Sequence, residues 1–413
     1  MEIFSEKLLK LSDEALSECE AAFSNAEKIA EYNQLKMLDA FIKNGVTESM
    51  FAESTGYGYG DRGRETLDKV FACACGAEDA MVRHSLTCGT HTLTTALFGL
   101  LRPGDIMLCV SGRPYDTIQP VIGIAGGSNM GSLKDFGIEY RQVDLLPDGS
   151  PDLDGIKLAL NNKVRMVYIQ RSRGYSLRPS MSVETIGQIA DVVKKNSNAV
   201  IMVDNCYGEW VQKEEPTAYG ADIIAGSLIK NPGGAIAKTG GYIAGKKELV
   251  ELCAYRATTP GLGREVGSTL GQTREMVMGL YNAPHVVGEA VKTAIFTSSL
   301  LKKLGFGVTP EPDEKRCDII QAVKLENEKN LIAYCQGLQK GAPIDSNVVP
   351  EAWEMPGYDS KVIMSAGAFT LGSSIELSAD APLREPFAVW QQGGTNFYSG
   401  KYAVMCAVNN LLK

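Results

Sequence analysis

Apolar residues recur at near-helical spacing from the start of the chain. Leu8, Leu9 and Leu11 are followed by Leu16, and then Ile29, Tyr32, Leu35, Leu38 and Ile42 repeat roughly every 3.6 positions. This predicts a helical segment over residues 1–45. Four glycines crowd into residues 54–64, which predicts a loop there. From about residue 65 to 250 short apolar runs alternate with amphipathic stretches. The runs Ile106–Val110, Val164–Ile169, Ala199–Val203 and Asp222–Ala225 read as strands. Between them Val183–Lys195 reads as a helix, with Ile186, Ile189, Ala190 and Val193 on one face. Such alternation predicts crossover connections and a mostly parallel sheet covered on both sides, with chemistry outside the carboxyl ends of the strands.

The pattern changes towards the carboxyl terminus. Residues 273–304 read as one long helix, interrupted or bent near Pro284. Beyond Gly305, Val362–Ala366 and Ser374–Leu377 read as strands, and Leu325–Lys340 and Lys401–Leu412 as helices. The expected organisation is an N-terminal helical segment (1–50), a large α/β domain (51–272), a linking helix (273–304) and a small α+β domain (305–413). The N-terminal segment is free to pack with the last of these.

Composition narrows the classes. At 413 residues the chain is long enough for a large domain and a smaller one. A formal net charge of -8 gives no basic stripe for nucleic acid. No run reaches the ~18 apolar residues of a membrane span, and the first residues carry acids where a signal peptide is apolar. The ten cysteines are scattered, and Cys73 and Cys75 lack zinc-knuckle spacing. This predicts reduced thiols and a cytoplasmic location, without a bound metal.

Four places carry candidate chemistry. The apolar strand at 222–225 runs through Ser227 into Lys230 and a glycine turn. A lysine at a buried strand end is costly unless it is paired, uncharged or covalently used. Taken alone it reads far more readily as a surface lysine entering a glycine turn. Asp204 ends the run 199–203, where its carboxylate suits a protonated pyridine nitrogen or a simple turn. Gly89 and Thr90 precede a helical pattern, which suits an anion or ordinary capping. Tyr115 follows the strand at 106–110, where it could cover a planar group or fill a turn. His84, Cys88 and His91 lack a fourth ligand at a persuasive zinc spacing. No G-x-G-x-x-G run sits between a strand and a helix, so a dinucleotide fold is disfavoured.

The order of these pieces is more specific than any one of them. The stretches GYGYGDRGRETLDKVFA (56–72), CGTHTLTTALFGLLRPGD (88–105), QRSRGYSLRPS (170–180), VDNCYGE (203–209), GADIIAGSLIKNPGG (220–234) and SSIELSADAPLREPF (373–387) resemble the fold-type-I pyridoxal-phosphate enzymes of cysteine and methionine metabolism. The closest likeness is to the cystathionine β-lyase-like aluminium resistance family, also called methionine γ-lyase family proteins. The resemblance implies a large domain with a seven-stranded, mostly parallel sheet between helices, plus a small C-terminal α+β domain. It implies pyridoxal 5'-phosphate held as a Schiff base on Lys230, Asp204 at the pyridine nitrogen and Tyr115 over the ring. Gly89, Thr90 and Ser227 would hold the phosphate. Tyr59 and Arg64 would reach the phosphate of a neighbouring subunit, and Arg384 would bind the substrate carboxylate. The implied activity is carbon–sulfur lysis of a sulfur amino acid by β- or γ-elimination, in a homodimer or homotetramer with shared sites. The alternatives are another pyridoxal-phosphate reaction, such as transamination or aldol cleavage, and a cofactor-binding regulatory protein. Two departures stand out. In the first loop, Gly60 and Asp61 separate Tyr59 from Arg62, where the better-known lyases have tyrosine and arginine one residue apart. The stretch 170–174 also lacks the asparagine that sits near the cofactor's phenolic oxygen, with Gln170 and Arg173 as candidates for its place.

Overall fold

The computed structural model describes residues 3–355 and 360–413. Seven strands form the larger sheet: β1 (Asp79–Arg83), β2 (Ile106–Cys109), β3 (Glu139–Gln142), β4 (Val164–Gln170), β5 (Val200–Asp204), β6 (Ile223–Ser227) and β7 (Gly241–Gly245). Their order is β1-β7-β6-β5-β4-β2-β3. The block β6-β5-β4-β2-β3 is parallel, and β7 pairs antiparallel with both β6 and β1. The helices in this part of the chain are α1 (Glu6–Lys43), α2 (Arg62–Cys75), α3 (Gly89–Leu100), α4 (Gln119–Ile122), α5 (Leu153–Ala159), α6 (Val183–Asn196) and α7 (Lys247–Ala257).

The central strands are apolar over most of their length because both faces are covered, apart from exposed Arg165 near the start of β4 and the polar residues at the carboxyl ends. Leu108, Val167, Ile169, Ile201, Val203 and Ile224 pack on one side with residues of α2 and α6. Met107, Cys109, Met166, Tyr168, Met202 and Ile223 pack on the other with α3 and α7. Each fully buried aliphatic side chain contributes about 1.5–3 kcal/mol, so this two-sided arrangement dominates the stability of the sheet.

Helix α8 (Thr273–Lys303) runs without interruption and contains Pro284. The expected break is absent because most of the helix is buried, so tertiary packing offsets the missing hydrogen bond. A second, five-stranded sheet follows: β8 (Gly307–Thr309), β9 (Gln321–Lys324), β10 (Val362–Ser365), β11 (Ser378–Pro382) and β12 (Ala388–Gln392), in the order β10-β11-β12-β9-β8. Helices α9 (Glu328–Lys340) and α10 (Phe397–Leu411) pack on it. Residues 374–377 are not a strand. Their carbonyls meet the Gly393–Gly394 turn, where a side chain would collide, and Gly394 N–H donates to the Ile375 carbonyl at 2.9 Å. The ladder begins only at Ser378.

Helix α1 packs along α8, and its first turns join the apolar layer of the second sheet through Leu8 and Ala15. Its inner face carries Ala26, Asn33, Met37 and Ala40. The periodic Tyr32, Leu35, Leu38 and Ile42 lie outward instead, with Leu35 59% and Ile42 69% exposed. Among the described residues no helix is long and apolar enough to cross a membrane.

Candidate active site

Strand register brings the chemistry together. Gln170 lies opposite Asp204 across β4 and β5, and Asp204 lies opposite Ala225 across β5 and β6. These positions mark the carboxyl edge of the parallel block, and Ser227 and Lys230 follow on the same edge. A cavity of about 260 Å³ opens there. Gly89, Thr90, Tyr115, Gln170, Asp204, Ser227 and Lys230 all border it. A larger cavity of about 670 Å³ lies between α1, α8 and residues 210–214, and none of these groups lines it.

Each side chain is held by its neighbours. Asp204 Oδ1 accepts the Cys206 N–H at 3.1 Å, and Oδ2 accepts the Tyr168 hydroxyl at 3.3 Å. Burial raises the Asp204 pKa against the opposing pull of Lys230. Lys230 Nζ sits 4.0 Å from the centre of the Tyr207 ring. Burial disfavours its ammonium, but Cys206, Tyr207, Asp204 and Glu209 around it outweigh burial and raise its pKa. Glu209 itself is pushed up to about 8 by burial, while the Tyr242 hydroxyl donates to its Oε1 at 2.7 Å.

Tyr115 is fixed by its backbone, whose N–H donates to Gln170 Oε1 at 2.7 Å. Gln170 in turn donates to the Ser172 carbonyl at 3.1 Å. Gln170 therefore occupies the cavity wall. Arg173 is turned away and donates to the Thr309 carbonyl at 2.9 Å. Gly89 begins α3, and a Cβ there would stand 3.3 Å from Cys206 Sγ, 3.6 Å from Ser227 Cβ and 3.8 Å from Lys230 Nζ. The bare backbone keeps space open where the first N–H groups of the helix have no helical partner. Thr90 and Thr117 hydroxyls meet at 2.7 Å beside it.

Three expected residues lie elsewhere. Tyr59 is 61% exposed and stacks on Tyr57, with ring centres 5.5 Å apart. Arg384 sits at the turn between β11 and β12, 4.0 Å from Asp116, and does not line the cavity. Arg64 lies in a helix, not in the glycine-rich loop. It belongs to α2, is buried, and donates to the Gly58, Gly267 and Glu265 carbonyls at 2.9, 2.7 and 3.4 Å. Asp61 caps α2 by accepting the Arg64 N–H, so the helix starts inside the expected loop and turns that guanidinium inward. Arg64→Ala is expected to destabilise the fold by about 2–4 kcal/mol, since it strands buried carbonyls. Chemical denaturation measures this. Unchanged stability would show that the guanidinium is not a brace.

Several cavity residues carried no sequence signal strong enough to name them. Cys206 and Tyr207 follow Asp204 in its turn, and Ser172 and Gly174 come from the loop after β4. Asp380 and Gln392 arrive from the second sheet. Asp380 is foreshadowed only by the alternation of Ser378, Asp380 and Pro382 with small apolar residues along β11.

The methionine gamma-lyase family profile matches residues 8–412. The chain belongs to the methionine gamma-lyase family. An uncharacterized Bacillus subtilis protein, YnbB, is 46% identical over 409 residues, covering 99% of this chain and 97% of that one. The L-methionine gamma-lyase of Pseudomonas putida is 27% identical over 222 residues, 53% of this chain and 49% of its own. A Clostridium novyi structure described as a carbon-sulfur lyase involved in aluminum resistance is 49% identical. It covers 98% of this chain and 96% of that one, with a TM-score of 0.95. The pyridoxal-5'-phosphate dependent protein YhfS of Escherichia coli shares the fold, at 16% identity, a TM-score of 0.60 and coverage of 92% and 96%. The fold of this family member is thus that of the fold-type-I pyridoxal-phosphate enzymes. Its donor set fits the cofactor: a buried lysine and aspartate face one cavity, beside a helix start kept clear by Gly89.

Proposed function

We propose that this protein is a pyridoxal-phosphate-dependent carbon–sulfur lyase acting on a sulfur amino acid of the cystathionine, cysteine or methionine type. The observation that carries the reading is the buried Lys230 amine beside Asp204 in a cavity at the carboxyl edge of the sheet. Pyridoxal 5'-phosphate is the cofactor, and when bound it supplies a carbonyl for covalent capture of an amino acid and a sink for electrons. Lys230 holds it covalently. Asp204 Oδ1 and Oδ2 hold a proton at the ring nitrogen, and the α3 start with Gly89, Thr90 and Ser227 takes the phosphate. Tyr115 covers the ring face, and Gln170 keeps Tyr115 in place. Lys230 Nζ would take the substrate α-proton and deliver a proton to the departing sulfur, which makes it the general base and acid. Departure of a β-thiolate, or of a γ-thiolate after a further proton shift from the β-carbon, would leave an unsaturated amino acid, and addition of one water to its imine form would release ammonia and an oxo acid.

The test is to incubate the holoenzyme with cystathionine, cysteine, methionine and S-alkylcysteines. Thiol and ammonia are expected in equal amounts from at least one of them. Amino transfer to an added oxo acid without thiol release would replace this reading with a transaminase.

We also propose a homodimer or larger assembly with shared sites. The outward apolar row of α1 and the exposed Tyr57–Tyr59 pair support it. Arg62, exposed at the first turn of α2, is a candidate beside Arg64 for reaching the phosphate of a neighbouring subunit. Hybrids of Tyr59→Ala,Arg62→Ala chains with Lys230→Ala chains are expected to regain activity that neither parent has, because one intact site is rebuilt. Purified hybrids no more active than the parents would mean that the loop serves its own chain.

A further inference from the structure

The charged groups that line the cavity among the described residues are Asp204, Lys230 and Asp380. The reading above commits the first two to the cofactor. Asp380 remains, and it stands on the wall contributed by the second sheet. Ser378 and Asp380 share one face of β11, and Ser378 pairs with Gln392 of β12. The Tyr175 hydroxyl donates to Asp380 Oδ2 at 3.0 Å, and Gln392 Nε2 donates to the same oxygen at 3.2 Å. Among the described residues Oδ1 accepts no hydrogen bond. Burial raises the Asp380 pKa in spite of the help from Gln392, Tyr175 and Lys230. A carboxylate in that position gains more from a cation than an exposed one does.

Aromatic rings complete the surroundings. Tyr175 packs against Tyr115 at 5.7 Å and against Trp390 at 5.3 Å between ring centres. Tyr207, also on the wall, already seats one ammonium, that of Lys230, on its face. Rings and a carboxylate together suit a cation and repel an anion. Among the described residues no arginine or lysine besides Lys230 borders the cavity, so an acidic side chain would meet no further opposite charge there.

We propose that Asp380, braced by the Tyr175 hydroxyl and set beside the ring of Tyr207, forms a side-chain subsite that selects amino acids ending in a positively charged group. This rests on the lyase reading for the placement of Lys230 and Asp204, and it makes the preferred substrate a sulfur amino acid with a distal ammonium. Asp380 is then a specificity-determining residue, not part of the proton transfer.

The test uses ligands without a sulfur leaving group, so that binding is read apart from turnover. Calorimetry with the holoenzyme compares three length-matched pairs: 2,4-diaminobutyrate with norvaline, ornithine with norleucine, and lysine with 2-aminoheptanoate. In at least one pair the diamino acid is expected to bind ~10-fold or more tightly than its neutral match. Asp380→Asn keeps an acceptor for Tyr175 and Gln392 but removes the charge, so the ratio should fall towards one. Asp380→Glu keeps the charge and advances it by one methylene, so the preferred diamino acid should become shorter. A wild-type ratio near one in all three pairs would overturn the proposal. So would a ratio that survives Asp380→Asn, or an unshifted length preference in Asp380→Glu. If Asp380 only braced Tyr175, both members of a pair would weaken alike and the ratio would stand. Failure of thiol release in the separate lyase assay would remove the lyase reading and leave these ratios to decide the subsite.

Discussion

Lys230→Ala is expected to lower turnover by on the order of 10⁴-fold or more, because in the proposed mechanism one side chain serves both as the covalent anchor and as the proton carrier. The physical basis is its place. Strand β6 delivers the chain to the carboxyl edge, and the turn after it directs Nζ over the Tyr207 ring beside Asp204. Among the described residues no other lysine borders the cavity. Lys238 pairs with Glu275 at 2.8 Å and Lys246 with Asp222 at 2.9 Å, so neither is placed to substitute. The sheet core does not depend on Lys230, so the variant should fold, with some loss of stability from an uncompensated Asp204. Lys230→Arg is the control that retains the charge: it should restore stability and remain inactive. Borohydride reduction of the wild type followed by peptide mapping should place the cofactor adduct on Lys230. An adduct on Lys238 or Lys246 would sink the assignment.

Asp204→Asn is expected to reduce kcat/KM by ~10²–10³-fold, the equivalent of losing a buried charge partner. The amide is nearly isosteric, and its oxygen can still accept the Cys206 N–H that Oδ1 now receives. The charge is what disappears. Without it nothing holds a proton at the ring nitrogen, and the electron sink weakens. Since Lys230 is untouched, borohydride should still trap the cofactor in this variant. That separates a failed electron sink from failed binding. Elimination at near wild-type rates would show that Asp204 is only a turn residue of the β5 end.

The site was legible in the sequence where chemistry sits at the end of an apolar run. Asp204 closes β5, and Lys230 follows β6. Gly89 starts α3, and Tyr115 follows β2. In a doubly covered parallel sheet the strands must be apolar, and their carboxyl ends are where polar groups can next appear, so position along the chain predicted position in space. Helix α8 was legible as one unit, and the interruption expected at Pro284 is absent.

Local pattern reports that a face is apolar and leaves open what it meets. The periodic row on α1 fixed the helix, yet packing against α8 chose the face with Ala26, Met37 and Ala40, because small side chains permit close approach, and left Tyr32, Leu35 and Ile42 outside. Arg64 looked like a loop residue until the Asp61 cap began the helix and buried its guanidinium among carbonyls contributed by residues 265 and 267. Asp380 reaches the cavity from a second sheet and meets Tyr175, 205 positions away in the chain. The sequence by itself determined the sheet, its edge and the residues on that edge, since these follow from local burial and strand direction. The tertiary structure decided which distant groups face them, because such contacts depend on how two separately built sheets pack, and no local periodicity encodes that.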